Sequence, residues 1–489
     1  MKHPLSSLLA MAIVAAAPLL APAYTFQLLG DRLTLAARDV PLHRLLDSFT
    51  HAGVRVEVDP GLDLRLTATA VDIKVEQALE YLLQPYSYVL RWDVIRGPVG
   101  DIPRLASLQV FRPGEAWRVQ DHPSGDGNFR VARGPLPDSP EFIADEILLA
   151  LKPGVSADAF RILISQIGGS IIESIPNLGI YRIRLPPGTN IPALVQSLRG
   201  QEIISRVEPN YAARLPEALF EQPASDISPE LRPRRDNAPA IAVLDSGFRP
   251  GFGIDDAVTS RFDAVNPQRA LDDPSGHGTQ MALVASGAIA PNGAMPTDSS
   301  VPIMAIRAFD DNGVTSYFTM MRAIDHAIKE GARVINLSWG SETDSSFLRT
   351  TLQYATARGM VAVASAGNEP TGRPVYPAAY PEVISVSALG RDGQPWANSN
   401  FGSTVTVTAP GTAAMPVGYQ GPPGNYAGTS IASAHASHHI AHYLAANPRA
   451  NLRAVDAALR QATANTPAPP GHGYGRLDPE AALLLIGPR

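Results

Sequence analysis

The sequence predicts an α/β protein whose C-terminal half is a doubly wound, mostly parallel sheet, preceded by two small domains of the order β-α-β-β-α-β. From Pro239 onward, short apolar runs alternate with segments of helical spacing, as expected for strands covered on both faces by helices. Residues 24–93 and 142–215 instead show short alternating strands around two helices each. The 489 residues are enough for roughly three domains.

The composition excludes several classes of protein. Lys and Arg number 40 against 46 Asp and Glu, so the net charge of −6 gives no reason to expect nucleic acid as the main partner. Cysteine is absent, which excludes disulfides, thiolate zinc sites and a cysteine nucleophile. The 45 prolines are about twice the average usage and indicate many turns and linkers.

The first 23 residues are predicted to be a secretory signal. Lys2 supplies a positive end, the run from Leu5 to Leu20 is apolar, and Ala21-Pro22-Ala23 fits a cleavage site. The alternative is an uncleaved membrane anchor, because the apolar run approaches the lower length limit of a spanning helix. We therefore expect an exported protein, periplasmic or extracellular.

Proline-rich stretches are predicted to separate the domains. Residues 94–141 are predicted to be a linker, although they are long enough to contain a strand pair near 106–111 and 116–119. Residues 216–238 are predicted to be a second, exposed linker that includes the processing region.

Within the C-terminal domain, the pattern predicts strands at 240–244, 303–306, 334–337, 361–365, 383–386 and 405–408. It predicts helices at 278–289, 317–330, 347–357, 431–446 and 452–462. Three polar residues stand where predicted strands end or helices begin: Asp245 in AIAVLDSGF, His277 in SGHGTQ and Ser430 in YAGTSIAS. Singly, each is more simply a turn, loop or capping residue. Together, the order Asp, His, Ser is one of the known arrangements of the Ser-His-Asp triad.

With these motifs, residues 239–489 resemble the catalytic domain of subtilisin-family serine proteases. The resemblance implies that Ser430 is the nucleophile, that His277 is the general base and that Asp245 orients His277. It also implies that Asn368, in VASAGNEP, and the backbone N–H of Ser430 form the oxyanion hole. The substrate-binding residues that the resemblance implies are Gly313, Ser338, Trp339, Gly340, Ser365, Ala366 and Gly367. The small residues among them favour a sizeable apolar substrate side chain.

Two departures from the family pattern are Gln280, where a second His is common, and Ala434, where Pro is usual. His435, His438, His439 and His442 follow on one predicted helix and either bind a metal or pack within the helix. Packing is favoured over metal binding, because no nearby acidic residue completes a ligand set. No metal site is therefore assigned. No cofactor is expected for the chemistry, and structural calcium is left open because no acidic run has a diagnostic spacing.

The two smaller domains also resemble known families. Residues 142–215, ending in EPNY at Glu208–Tyr211, are similar to the inhibitor-like propeptide that precedes many subtilisin-type domains. Residues 24–93, with RLTLAARDVPLHRLLDSFTHAGVRVEVDPGL and VEQALEYLL, resemble the short N-terminal domain of secretins and TonB-dependent receptors. An unrelated α/β module is the alternative for that domain. Because it lacks catalytic or ligand clusters, we expect it to contribute binding, and the resemblance implies that its partner is a periplasmic or envelope protein.

The sequence thus predicts an exported serine endopeptidase, made as a precursor that its own propeptide inhibits, with polypeptides as substrates. The competing hypothesis is an envelope interaction protein whose protease-like domain is catalytically silent.

Overall fold

The computed structural model describes residues 24–122, 128–136, 138–217, 219–224, 227–235 and 237–486. The predicted signal, residues 1–23, lies outside the described residues. Two compact units are present: one contains the described residues up to 122 together with Asp145–Val207, and the other contains 128–144 and 208–486. Within these described ranges, every helix is too short or too polar to cross a membrane.

The first part of the first unit contains two sheets. Its strands are β1 Tyr24–Leu29, β2 Arg32–Pro41, β3 Arg55–Val58, β4 Arg65–Lys74, β5 Ser87–Ile95, β6 Ile102–Phe111 and β7 Gln120–Asp121, and its helices are α1 Leu42–His51 and α2 Val75–Leu82. The strand orders are β1-β2-β4 and β5-β6-β3-β7. The amphipathic helix α1 buries Leu42, Leu45, Leu46 and Phe49.

The predicted linker at 94–141 is wrong for its first third, because β6 lies inside it. This strand pairs antiparallel with β5 from Ser87↔Phe111 to Ile95↔Ile102 and parallel with β3. Leu105, Leu108 and Val110 are buried in the core. Proline content misled the prediction: Pro103 stands near the start of the strand, where a missing N–H is tolerated.

The chain continues through β8 Val131–Arg133, β9 Glu141–Leu151, α3 Ala157–Gln166, β10 Ser170–Ile175, β11 Ile180–Arg184, α4 Ile191–Leu198 and β12 Ile204–Arg214. From β9 onward, the element order is the predicted β-α-β-β-α-β. Residues 145–207 do not form a compact unit separate from 24–122, however. Hydrogen bonds from Ser170 Oγ to Leu28 O (2.7 Å) and from Ser174 Oγ to Arg96 O (2.6 Å) join the two parts of this unit.

The second unit contains the remaining elements. Its strands are β13 Leu219–Pro223, β14 Ile241–Asp245, β15 Val258–Asp263, β16 Ile303–Arg307, β17 Val314–Ser316, β18 Val334–Leu337, β19 Val361–Ser365, β20 Val383–Leu389, β21 Val407–Pro410, β22 Thr412–Met415 and β23 Gly424–Ala427. Its helices are α5 His277–Ser286, α6 Tyr317–Lys329, α7 Ser346–Ala357, α8 Thr429–Ala446, α9 Leu452–Ala462 and α10 Pro479–Ile486.

Seven parallel strands form the central sheet in the order β15-β16-β14-β18-β19-β20-β21, which confirms the predicted parallel sheet. Only β15 was not predicted, because its sequence VTSRFD is polar. Helices α5 and α8 contact each other, as do α6 and α7. The carboxyl end of β14 and the amino ends of α5 and α8 therefore offer the polar groups that the sequence singles out.

The stretch predicted as an exposed linker at 216–238 is largely packed. Strand β13 pairs antiparallel with β23, from Leu219↔Ala427 to Pro223↔Gly424. Farther along, Ile227 and Leu231 pack against the hydrophobic core of the second unit. A Pro- and Arg-rich composition conceals these contacts, because the partners that order the segment lie far away in the chain.

Candidate active site

Asp245 and His277 meet at the carboxyl end of β14, an inner strand of the central sheet. Asp245 is the last residue of β14 and is fully buried, whereas His277 is the first residue of α5. The Nδ1 atom of His277 lies 2.7 Å from Asp245 Oδ1, which also accepts a hydrogen bond from the Ser246 N–H at 2.8 Å. A carboxylate in this position fixes the tautomer with the proton on Nδ1, so Nε2 is the nitrogen that can accept a proton.

Asp273, which the sequence reasoning missed, ties these two residues together. Its Oδ1 accepts hydrogen bonds from Ser246 Oγ (2.7 Å) and from the Gly276 N–H (2.9 Å). Its Oδ2 accepts from the N–H (2.8 Å) and the hydroxyl (2.6 Å) of Thr279. The side chain is completely buried. One carboxylate therefore anchors both the residue after Asp245 and the first turn around His277.

Ser430 lies in the first turn of α8 and is buried to 4% exposure. Its hydroxyl donates a hydrogen bond to the Ser338 carbonyl at 3.1 Å. Ser430, His277 and Asn368 line one cleft, so the structure brings together the residues for which the sequence predicts chemistry. The 18-residue helix α8 directs its positive dipole end at this cleft.

Asn368 follows β19 and is held by the residue before Ser430. Its Oδ1 accepts hydrogen bonds from the Thr429 N–H at 3.0 Å and from the Thr429 hydroxyl at 2.7 Å. With the amide oxygen engaged in this way, the NH₂ group is the donor that Asn368 can offer to a ligand.

The other predicted binding residues have different environments. Ser338, Ser365 and Ala366 are buried, and Gly367, which follows Ala366, has a φ of +107°. Gly340 has no room for a side chain, because an added Cβ would collide with Val375. These residues can wall a pocket or pair through their backbone.

The Trp339 side chain lies in the hydrophobic core, with 1% exposure and ring centroids 6.3 Å from Phe309 and 6.1 Å from Tyr317. The prediction that Trp339 binds substrate can therefore apply only to its backbone. The indole ring itself serves packing in the core.

The cleft already contains a segment of the same chain. Pro216, Glu217 and Leu219 line it together with His277 and Ser430. Before this segment, the Leu215 N–H donates to the Gly313 carbonyl at 2.9 Å, so the predicted binding residue Gly313 pairs with an extended chain. The end of β12 continues that antiparallel pairing along β17, from Arg214↔Val314 to Ala212↔Ser316.

Tyr419 is a further cleft residue that the sequence reasoning missed. Its ring centroid lies 4.7 Å from that of His277, and its hydroxyl donates to the Pro216 carbonyl. Burial, followed by the negative charge of Asp245, raises the pKa of Tyr419. No motif marks this residue in the sequence, since it lies in a loop rich in Gly and Pro.

The four histidines of α8 are buried, and two of them, His438 and His442, are hydrogen-bonded to their surroundings. Nδ1 of His438 lies 3.0 Å from the Ala285 carbonyl, its Nε2 lies 2.8 Å from Thr297 Oγ1, and His442 lies 3.2 Å from an Arg235 nitrogen. Burial lowers the pKa of His438 to about 4 and that of His442 to about 3. Over the part of the chain that the structure describes, no three His, Asp or Glu side chains converge as a metal site requires.

The two departures from the family pattern have structural roles. Gln280 Nε2 donates to the Val417 carbonyl at 2.8 Å and so connects α5 with the loop that carries Tyr419. Ala434, where the family pattern has Pro, is completely buried within α8, and the helix continues through this position.

Comparisons with known proteins agree with this architecture. A model of the subtilase family matches residues 236–476, and a model of the fervidolysin N-terminal prodomain matches residues 135–210. Thermitase of Thermoactinomyces vulgaris is 32% identical over 198 residues, which cover 40% of this chain and 71% of thermitase. The thermophilic serine proteinase of Bacillus sp. (strain AK1) is 28% identical over 309 residues, which cover 60% of this chain and 76% of that proteinase.

Among solved structures, this chain resembles fervidolysin from Fervidobacterium pennivorans, described as a keratinolytic enzyme related to subtilisin. The TM-score is 0.58 at 22% identity, and the match covers 75% of this chain and 64% of that one. At this identity, the likeness establishes the fold alone.

Proposed function

The chain belongs to the subtilase family of serine proteases, and from this premise we propose that it is an exported endopeptidase made as a self-inhibited precursor. The observation that carries the proposal is the cleft that His277, bonded to Asp245, lines together with Ser430 and Asn368. Pro216, Glu217 and Leu219 of the same chain line it too. The silent envelope protein, the competing hypothesis, offers no reason for this combination.

The proposed chemistry is acyl transfer from a peptide to Ser430 and then to water. The hydroxyl of Ser430 is a weak nucleophile at neutral pH, so His277 Nε2 accepts its proton as the oxygen attacks the peptide carbonyl. The same proton then passes to the leaving amine. Asp245 holds the Nδ1 proton throughout and stabilises the imidazolium.

The tetrahedral intermediate carries a negative oxygen that needs donors already in place. The NH₂ group of Asn368 and the backbone N–H of Ser430 at the start of α8 are the proposed donors. Because Thr429 fixes the Asn368 amide through two hydrogen bonds, this donor requires no reorientation during the reaction. Besides the peptide and water, the proposed reaction uses only groups of this chain and requires no cofactor.

Residues 212–223 are the proposed stand-in for a substrate. The chain enters as a strand paired with β17 and leaves as β13 paired with β23. Such main-chain pairing on both sides holds any extended peptide, and the walls formed by Ser365, Ala366 and Gly367 favour an apolar side chain. One of the two bonds between Glu217 and Leu219 is the proposed self-processing site.

Glu208 is proposed to help hold this segment before processing. One of its carboxylate oxygens accepts from Ser345 Oγ (2.7 Å), and the other accepts from the N–H (2.9 Å) and the hydroxyl (2.6 Å) of Ser346. These contacts lie at the amino end of α7, where a negative charge is stabilised. They explain why the segment occupies the cleft and so support self-inhibition.

The decisive test is Ser430→Ala, with Ser437→Ala as the matched control. Both serines are buried on α8, but Ser437 bonds to Asn336 and lies two turns away. We expect Ser430→Ala to lose roughly 10⁴-fold or more in kcat while retaining its melting temperature. Near-normal turnover by this variant, or failure of the wild type to react with a fluorophosphonate probe, would refute the proposal and favour the silent protein.

Processing is tested by intact-mass spectrometry of the same variants. The active chain should yield a new N-terminus at residue 218 or 219, and Ser430→Ala should remain uncleaved. Identical cleavage of both would assign processing to another protease.

The described residues 24–122 are proposed to dock the precursor to an envelope partner, as the resemblance of 24–93 to secretin and TonB-receptor domains implies. A deletion should remove 24–122 as a whole, because ending it at 93 would separate β5 from β6. Peptide hydrolysis by the processed enzyme should be unchanged, while the precursor should lose its crosslinked envelope partners. Unchanged partners would refute this docking role.

A further inference from the structure

Tyr419 occupies a position in the cleft that combines two contacts. Its ring lies against the His277 imidazole, with 4.7 Å between centroids and 57° between planes. Its hydroxyl donates to the main-chain carbonyl of Pro216, one residue before the proposed processing region. The side chain is 2% exposed, so it reaches both partners from within the protein.

The loop that carries Tyr419 is fixed to the elements of the active site. Gln280 Nε2, on α5, holds the Val417 carbonyl. Gly276 has a φ of +86° and lacks the Cβ that would collide with the Gly418 carbonyl. The Tyr419 N–H donates to the Tyr426 hydroxyl at 3.0 Å, and that hydroxyl donates to the Pro422 carbonyl at 2.7 Å. The tyrosine is therefore held in place on three sides.

The chemistry of a phenol suits both contacts. Burial and the carboxylates of Asp245, Asp273 and Glu217 raise the pKa of Tyr419, so the hydroxyl stays a donor at every pH at which a serine protease works. A backbone carbonyl occurs in every peptide, whatever its side chains. A donor directed at that carbonyl can therefore bind the extended backbone of a substrate whatever its side chains are.

From these contacts we infer that Tyr419 is a substrate-binding residue, whose hydroxyl donates to a substrate carbonyl on the N-terminal side of the cleaved bond while its ring packs on His277. The inference rests on the proposed function, since Pro216 stands for the corresponding residue of a substrate. It adds a polar contact to the backbone pairing along Gly313 and β23.

The kinetic test compares the processed wild type with Tyr419→Phe and with Tyr474→Phe. Tyr474→Phe also removes a partly buried hydrogen bond, which the Tyr474 hydroxyl donates to Asp456 at 2.8 Å, but Tyr474 does not line the cleft. Loss of one neutral hydrogen bond corresponds to about a 2- to 12-fold change in binding. We expect Tyr419→Phe to raise KM by this factor with kcat within about twofold, and Tyr474→Phe to change neither.

A second substrate identifies the carbonyl. A peptide of the sequence of residues 212–223 is compared with the same peptide whose Pro216 carbonyl is reduced to a methylene. The wild type should lose affinity for the reduced peptide, and Tyr419→Phe should bind both peptides alike. Equal losses in the two enzymes, an unchanged KM in Tyr419→Phe, or a fall in kcat alone would overturn the inference.

The third measurement does not depend on catalysis. In full-length Ser430→Ala, hydrogen exchange at residues 217–222 should be faster when Tyr419→Phe is added and unchanged when Tyr474→Phe is added. If every processed enzyme proved inactive, the proposed function would fail, yet this exchange comparison would still decide the role of Tyr419. Equal exchange in all three chains would overturn it.

Discussion

Replacing Asp273 with Asn should separate catalytic positioning from stability. The carboxylate accepts hydrogen bonds from Ser246, Gly276 and both donors of Thr279 with no exposed surface. Asn has one acceptor oxygen, so the two Thr279 donors on Oδ2 lose their partner. Each buried unsatisfied donor costs about 1 to 3 kcal/mol, so the variant should lose about 2 to 6 kcal/mol of unfolding free energy.

The effect on the reaction comes from the position of His277. Ser246 follows Asp245 directly, and Gly276 and Thr279 flank the first turn of α5, so loosening them moves the base relative to the nucleophile. A displacement of about 1 Å costs roughly 10²-fold in rate. We expect kcat per folded molecule, counted by titration with a fluorophosphonate, to fall about 10- to 100-fold with KM little changed.

Asp263→Asn is the matched control. Asp263 is likewise buried and accepts from the N–H groups of Val265 and Asn266, both at 2.8 Å, and from Arg307 at 2.7 Å. It should destabilise the fold comparably, as urea unfolding would show, and leave kcat per folded molecule unchanged. If both variants lose stability and neither loses kcat, Asp273 serves the fold alone and the positioning argument is refuted.

Three further outcomes are expected. Asn368→Ala should lower kcat about 10²- to 10³-fold with little change in KM, the effect measured for the corresponding donor in subtilisin; an unchanged kcat would exclude it from the oxyanion hole. Glu208→Ala should raise the inhibition constant of the separate 24–217 fragment about tenfold in a competition assay, and an unchanged constant would show that the α7 contacts do not hold it. In His439→Met, the free energy of unfolding should fall less steeply between pH 6.5 and about 4, by up to about 1.4 kcal/mol per pH unit. Replacing the exposed His43 with Gln should leave this slope unchanged.

The sign of that pH effect follows from burial. The folded protein holds the pKa of His439 well below 6.5, and that of His435 at about 3, so the unfolded chain binds protons that the folded chain rejects. Stability is therefore complete above about pH 6.5 and is lost as the pH falls toward the folded pKa values. Urea midpoints measured across this range test the prediction, and an equal slope in both variants would contradict it.

The sequence alone was sufficient for the motifs and for most of the central sheet. Asp245, His277 and Ser430 each stand in a short motif at a strand end or helix start, and most of the strands between them are predominantly apolar. Strands buried on both faces have a strong local signal, because nearly all of their side chains are apolar. The polar strand β15 lacks that signal and was missed.

Only the tertiary structure decided which residues surround those motifs. Tyr419 and Asp273 bear no pattern of their own, Trp339 turned into the core, and β6 and β13 lay within apparent linkers. Periodicity reports the environment of a segment along its own axis, whereas strand pairing and cleft contacts depend on partners far away in the chain. The segment 216–223 resembles a loop in sequence because its order comes from β23 and the active-site cleft, which no local pattern encodes.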